Sequence, residues 1–269
     1  MRAQVMSEPG DAGVPNDDFV LLSPEVCVLL DGVTPQADDD GCVHGVGWFV
    51  RTLGSAIMRG LSGSPGAPLG DCVAAAITET AREHRRGGVQ CDLDNWATPQ
   101  ATLLVVRCGP TSVDYFVLGD VVLLVDLPAG LLVVTDDRGE RLAQEFLHRY
   151  GHLPAGSGEA RKARDRYRAL RNAPGGYWTA AADPQAVRQA VTGAVARDSA
   201  RGLLAMTDGA TRYADLFGLT DWAGIHELVT AHGVDELITR LRTHERAHPE
   251  PGRRRTKISD DATVVRIQL

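Results

Sequence analysis

The sequence predicts an α+β domain in which antiparallel sheets pack together and helices lie outside them. Two observations carry this reading. Four apolar segments, 101–107, 112–118, 121–126 and 131–135, follow one another closely. The breaks between them, Cys108-Gly109-Pro110, Gly119-Asp120 and Pro128-Ala129-Gly130, are too short for β-α-β crossovers and fit an antiparallel meander. Segments with helical spacing are grouped around that run and do not alternate with its strands.

In chain order, residues 19–22 and 26–30 are short, apolar and partly β-branched, and read as strands; the second ends in Asp31-Gly32. Val43, Val46, Val50, Leu53 and Ile57 recur at helical spacing and predict a helix over 43–61. A Ser/Gly/Pro cluster at 62–68 is a turn. A second helix follows over 69–86, closed by Arg85-Arg86-Gly87-Gly88, a basic last turn with glycines behind it. Beyond the meander, helices are expected at 138–150 and 158–171, and strands at 177–182 and 203–207. Two helices broken at Gly233 should fill 221–247, and a last strand 263–268.

Composition sets the limits. With 43% hydrophobic and 23% charged residues in 269, the chain can bury a sizeable core. It reads as a single domain over 1–269 whose first 13 or so residues form a flexible arm. A net charge of -7 argues against a nucleic-acid partner, since phosphate contacts demand a basic surplus. The basic run Arg253-Arg254-Arg255 with Lys257 reads as a solvated loop. Cys27, Cys42, Cys72, Cys91 and Cys108 are scattered, odd in number and form no C-x-x-C pair. They predict neither a zinc site nor a disulfide framework. The N-terminal stretch has no apolar signal-peptide core, and the longest apolar region, 115–134, is broken by Asp120, Asp126 and Pro128. The expectation is a cytoplasmic protein with no membrane segment.

The chemistry lies in acidic residues at strand ends. Asp31-Gly32 follows VCVLL, Asp208-Gly209 follows GLLAMT, and Asp260-Asp261 precedes ATVVRIQL. Asp17-Asp18 immediately precedes FVLL. One such site alone would be a turn. Four in matching strand contexts point to carboxylates brought together, whose repulsion hard divalent cations would relieve.

These elements, in order, resemble the metal-dependent protein phosphatases of the 2C type, in the bacterial branch of stand-alone catalytic domains. Asn16-Asp17-Asp18 is similar to the family's N-E-D element, and Asp31-Gly32 to the start of D-G-H-G-G or D-G-M-G-G. Leu118-Gly119-Asp120 resembles L-G-D-S, and Thr135-Asp136-Asp137 resembles L-T-x-D-H. Ala205-Met206-Thr207-Asp208-Gly209 resembles A-S-D-G, and Asp260-Asp261-Ala262-Thr263 resembles D-N-x-T. The resemblance runs from about residue 14 to 269. It implies a four-layer α-β-β-α sandwich of two antiparallel sheets flanked by helices. It also implies two divalent cations, Mn2+ or Mg2+, and hydrolysis of phosphoserine or phosphothreonine in a phosphorylated protein substrate. By the same resemblance Asp31 bridges the two ions, the Gly32 carbonyl binds the second, Asp208 and Asp260 bind the first, and Asp17 with Asp18 serves the second.

Two family features are absent. Val33 stands where many members carry a histidine that protonates the leaving alcohol. No arginine stands shortly before Asn16-Asp17-Asp18 to grip the phosphate; the residues there are SEPGDAGVP. His44, at the start of the helix over 43–61, is the candidate proton donor, against the alternative of a helix-capping or surface histidine. Arg212 and Arg51 are the candidate phosphate ligands. A small phosphate ester as substrate, or a relative that binds without turnover, are the competing readings; retention of Asp31, Asp208 and Asp260 argues against the latter.

Overall fold

The computed structural model describes residues 2–34, 40–88, 90–154, 156–249 and 257–269. The basic run at 253–255 lies outside them. Among the described residues, ten strands form two five-stranded sheets whose paired strands all run antiparallel. One sheet has the order β2-β3-β4-β5-β8, from Phe19–Leu22, Val26–Gly32, Ala101–Cys108, Ser112–Leu118 and Val191–Ala196. The other has the order β1-β10-β9-β6-β7, from Arg2–Glu8, Ala262–Gln268, Gly202–Met206, Val122–Leu127 and Gly130–Val134.

Strand alternation sorts the apolar side chains into layers. Cys27, Leu29, Leu104, Val106, Val117, Leu123, Ala205 and Val265 fill the space between the sheets. Their neighbours Val28, Leu30, Leu103 and Val105 face the other way, against Phe49, Val50, Leu53 and Ile57 of α1 (Val46–Gly63) and Val73 and Ile77 of α2 (Leu69–Glu83). On the far side Leu124, Leu204, Met206 and Val264 pack against α6 (Trp222–His232) and α7 (Val234–Ala247). The result is the four-layer α-β-β-α sandwich. Helices α3 (Arg138–Tyr150) and α4 (Gly158–Arg168) lie between β7 and the turn that carries Arg171. α5 is a single turn, Asp208–Thr211.

Three expectations need correction. The supposed flexible arm is edge strand β1, paired with β10 from Arg2↔Gln268 to Glu8↔Ala262. Its side chains are mostly exposed, so it carries little apolar pattern. Residues 177–182 make only isolated bridges, Arg171↔Tyr177 and Ala101↔Ala180; the strand that completes that sheet is β8, whose exposed face hid it. The four-strand run is not one meander. β4 and β5 belong to one sheet, β6 and β7 to the other, and the chain changes sheets at Gly119-Asp120. Gly119 makes that change with φ 87°, a left-handed conformation that glycine adopts without strain.

Among the described residues, no helix is long and apolar enough to cross a membrane.

Candidate metal centre

Antiparallel pairing brings the predicted carboxylates to one end of the sandwich. Asp31, next to last in β3, lies opposite Thr102, the second residue of β4. Asp120 sits in the turn from β5 to β6. β9 ends at Met206, opposite Val264 near the start of β10, so Asp208 and Asp260 leave the second sheet at the same end. Glu8 pairs with Ala262 and Phe19 with Leu30, so the loop from β1 to β2, with Asp17 and Asp18, crosses between the sheets there too. A cleft of about 260 Å³ opens at this end, lined by Asp31, Gly32, Asp120, Asp208 and Asp260.

Backbone contacts fix the spacing. The Asp208 N–H donates to Asp31 Oδ2 at 3.2 Å. Asp261 accepts from the N–H groups of Gly10 (2.8 Å) and Asp17 (2.7 Å), which pins the crossing loop to β10. The threonines of the two C-terminal motifs have a joint task. Thr207 and Thr263 both donate their hydroxyls to Asp18 Oδ2, at 2.8 and 2.7 Å. Asp18 is thereby locked between β9 and β10 while its Oδ1 stays buried without a hydrogen-bond partner. Gly32 leaves room that a side chain would close, since a Cβ there would lie 2.4 Å from Val46 Cγ1 and 2.7 Å from the Asp17 carbonyl.

Burial, followed by mutual repulsion, dominates the electrostatics. The Asp31 carboxyl is held well above the ordinary carboxylate range, first by burial, then by Asp208, Asp18, Asp120 and Asp260. Burial, then Asp120 and Asp260, raise Asp208 to about 8. Burial raises Asp18 to about 7 despite its two threonine donors. Asp120 is raised by burial, with Asp215 and Asp136 adding to it. Asp17 is raised by burial and by Asp261, with Lys257 and Arg51 opposing. The cationic side chains paired with these carboxylates among the described residues are Lys257, 2.8 Å from Asp260 Oδ1, and Arg212 on Asp260 Oδ2. Crowded acids, an orphaned carboxylate oxygen and an all-oxygen donor set fit hard divalent cations.

The sign of the pH dependence follows. Unfolded, these carboxylates titrate near 4; folded and without cations, Asp18 and Asp208 titrate at about 7 and about 8. Between those limits the folded state holds protons that the unfolded state has shed, so stability falls as pH rises. Protein dialysed free of manganese and magnesium should melt at lower temperature at pH 8 than at pH 6. Added manganese should raise the melting temperature more at pH 8. A manganese increment independent of pH would contradict the assignment.

The other predicted residues are placed differently. Arg51 is exposed and close to Asp17, lowering its pKa. Arg212 does not line the cleft. It lies in a buried network in which Glu245 faces both Arg212 (3.7 Å) and Arg242 (2.8 Å), and Arg242 donates to the Asp260 carbonyl at 2.8 Å. Arg212 is thus committed to holding Asp260. His44 does not line the cleft either. Its Nδ1 lies 3.6 and 3.4 Å from the sulfurs of Cys42 and Cys91, and its ring stacks on Trp48.

Two site residues were not among the predicted ligands. Asp120 was visible in the Leu118-Gly119-Asp120 element. Arg171 had no signal, because it lies beyond the end of α4 and reaches the cleft only through the bridge to Tyr177. Arg171 Nε donates to the Tyr177 hydroxyl at 3.2 Å. Asp136, of the Thr135-Asp136-Asp137 element, accepts from the Arg138 N–H at 3.1 Å and from its guanidinium at 2.7 and 2.6 Å, and is held with the cleft wall.

No protein-family model matches the chain, and no curated protein sequence does. Solved structures do. The Mycobacterium tuberculosis serine/threonine phosphatase PstP/Ppp superposes with a TM-score of 0.58 at 16% identity, over 100% of this chain and 98% of that one. A structure of the PstP catalytic domain in complex with two manganese ions gives 0.56 at 16%, over 99% and 97%. The PPM Ser-Thr phosphatase MsPP from Mycobacterium smegmatis, in complex with cacodylate, gives 0.56 at 20%, over 100% and 98%. The chain has the fold of these proteins along its whole length.

Proposed function

We propose that the chain is a metal-dependent protein phosphatase of the 2C type, hydrolysing phosphoserine and phosphothreonine. The observation that carries this is the set of Asp31, Asp120, Asp208 and Asp260 gathered in one cleft, with Asp18 locked behind them. The fold shared with PstP and MsPP supports it.

Asp31, Asp208 and Asp260 would hold two divalent cations, Mn2+ or Mg2+, with Asp120, the Gly32 carbonyl and Asp17 beside them. When bound, such ions acidify water to a nucleophile and neutralise the phosphate oxygens. Asp31 would gain most from the cations, because burial and the charges of Asp208, Asp18, Asp120 and Asp260 all act on it. Asp18, through Thr207 and Thr263, holds the ends of β9 and β10 in register, so that Asp208 and Asp260 face one another. Arg171 takes the part assigned to Arg212 and Arg51. It lines the cleft, pairs with no carboxylate among the described residues, and is oriented by Tyr177. Its planar fork suits a phosphate. Among the described residues no histidine lines the cleft to protonate the leaving alkoxide.

Phosphothreonine peptides should be hydrolysed when manganese is supplied and not in its absence. Metabolite phosphates should be poorer substrates by kcat/KM. Arg171→Ala should raise KM for the peptide by about 10-fold, the order of one charge-assisted hydrogen bond, with a smaller change in kcat. Manganese-independent hydrolysis would end the metal reading. An unchanged KM in Arg171→Ala would remove that residue from phosphate binding.

A further inference from the structure

Away from the cleft, a second cluster of ligating side chains has no part in the proposed hydrolysis. Cys42 and His44 lie just before α1, His84 caps the end of α2, and Cys91 lies in the segment leading to β4. One potential ligand atom from each lies within 4.8 Å of all the others. The Cys42 sulfur is 3.6 Å from that of Cys91, 3.6 Å from His44 Nδ1 and 3.4 Å from His84 Nδ1. The Cys91 sulfur is 3.4 Å from His44 Nδ1. Zinc binds sulfur at about 2.3 Å and imidazole nitrogen at about 2.0–2.1 Å, so a tetrahedral site has edges of about 3.3–3.8 Å. The four measured separations fall in that range. They are too long for a disulfide, whose sulfurs lie about 2.05 Å apart.

From this geometry we propose that Cys42, His44, His84 and Cys91 form a structural zinc site. The surroundings are built for it. The His44 N–H donates to the Cys42 sulfur at 3.4 Å, support that a metal-bound thiolate uses. The Cys42 N–H is held by Asp40 Oδ1 at 2.8 Å, and the Asp92 N–H donates to the Gly41 carbonyl at 2.8 Å, joining the two cysteine-bearing segments. Trp48 stacks on His44 at 4.1 Å and meets His84 edge-on at 4.6 Å, fixing both rings. His84 is buried beneath these rings. Four protein ligands leave no open coordination position, so the ion would hold structure and take no substrate. It would clip the start of α1, the end of α2 and the segment before β4 together. Thiolate and imidazole select zinc, whereas the carboxylates of the cleft select hard cations. The proposal therefore stands apart from the phosphatase reading.

The test uses the full chain, purified without chelator and dialysed against magnesium. Elemental analysis should find one zinc per chain. Cobalt exchanged for it should give thiolate-to-cobalt charge-transfer bands and the intense visible bands of a tetrahedral ion. Cys91→Ser and His84→Asn should each lose those bands, while Asp31→Asn keeps them, because oxygen ligands cannot produce charge transfer from sulfur. Wild-type protein without zinc and without thiolate–cobalt bands would overturn the proposal. So would a Cys42–Cys91 disulfide in freshly purified protein, or bands unchanged in both Cys91→Ser and His84→Asn. Should either variant fail to fold, the wild-type cobalt spectrum alone decides.

Discussion

Asp31→Asn should leave a folded protein with peptide hydrolysis reduced by at least about 10²-fold, the scale on which loss of one preorganised electrostatic partner is felt. The amide oxygen of the substituted side chain can still accept the Asp208 N–H, so the local backbone has no reason to change. What is lost is the charge that the other carboxylates surround. The same change should have the opposite effect on stability. Without divalent cations at pH 8, wild type must keep a buried acid protonated, and asparagine removes that cost. The variant should therefore melt above wild type there, and the gap should narrow as pH falls toward 5. Adding manganese should reverse the order, because only wild type gains the cation. Turnover close to wild type at saturating manganese would show that Asp31 is not the bridge.

Gly209→Ala should be strongly damaging although it leaves every carboxylate in place. A Cβ at Gly209 would sit 1.8 Å from the Asp261 carbonyl oxygen and 3.3 Å from Asp260 Cβ. The ends of β9 and β10 would have to separate, taking Asp208 away from Asp260. Overpacking of this kind costs about 1–3 kcal/mol. The loss should appear both in chemical denaturation and as a higher manganese concentration for half-maximal activity. Gly70→Ala is the matched control. It lies in α2, and its Cβ would meet Phe116 at an ordinary 3.7 Å, so stability should not fall. Equal stability of Gly209→Ala and wild type would mean that the two strand ends need not approach.

Much of this was legible in the sequence. β3, β9 and β10 are buried runs with acids at their ends, β4 is a buried run bounded by a turn, and α1, α2, α6 and α7 have one apolar face each. Local pattern and tertiary position agree in those elements. β1 and β8 were missed because they are edge strands with mostly exposed side chains, and an edge strand needs only backbone pairing on one side. The change of sheet at Gly119-Asp120 was hidden because a hairpin and a crossing between sheets use the same turn residues. Asp31, Asp208 and Asp260 could be read because each adjoins its strand. Arg171 could not, because its place depends on how the turn after α4 folds back on Tyr177. The Cys/His cluster was missed for a related reason. Cys42 and His44 are two apart, but His84 and Cys91 join them only through the packing of α1 against α2. Odd cysteine number and the absence of C-x-x-C say nothing about ligands supplied by separate segments.

The pairing of β1 with β10 bears on the order in which the protein can assemble during synthesis. β10 lies between β1 and β9, so its place in the sheet stays vacant until the other described strands and helices have been made. A nascent chain ending after α7 already carries Asp31, Asp120 and Asp208, while Asp260, whose charge adds to the repulsion on Asp31 and Asp208, and its partner Lys257 are still missing. Asp18 has Thr207 at that stage and lacks Thr263. Ribosome-bound intermediates of this chain would therefore carry an unfilled slot in one sheet and an incomplete carboxylate set, and both are completed by the same strand.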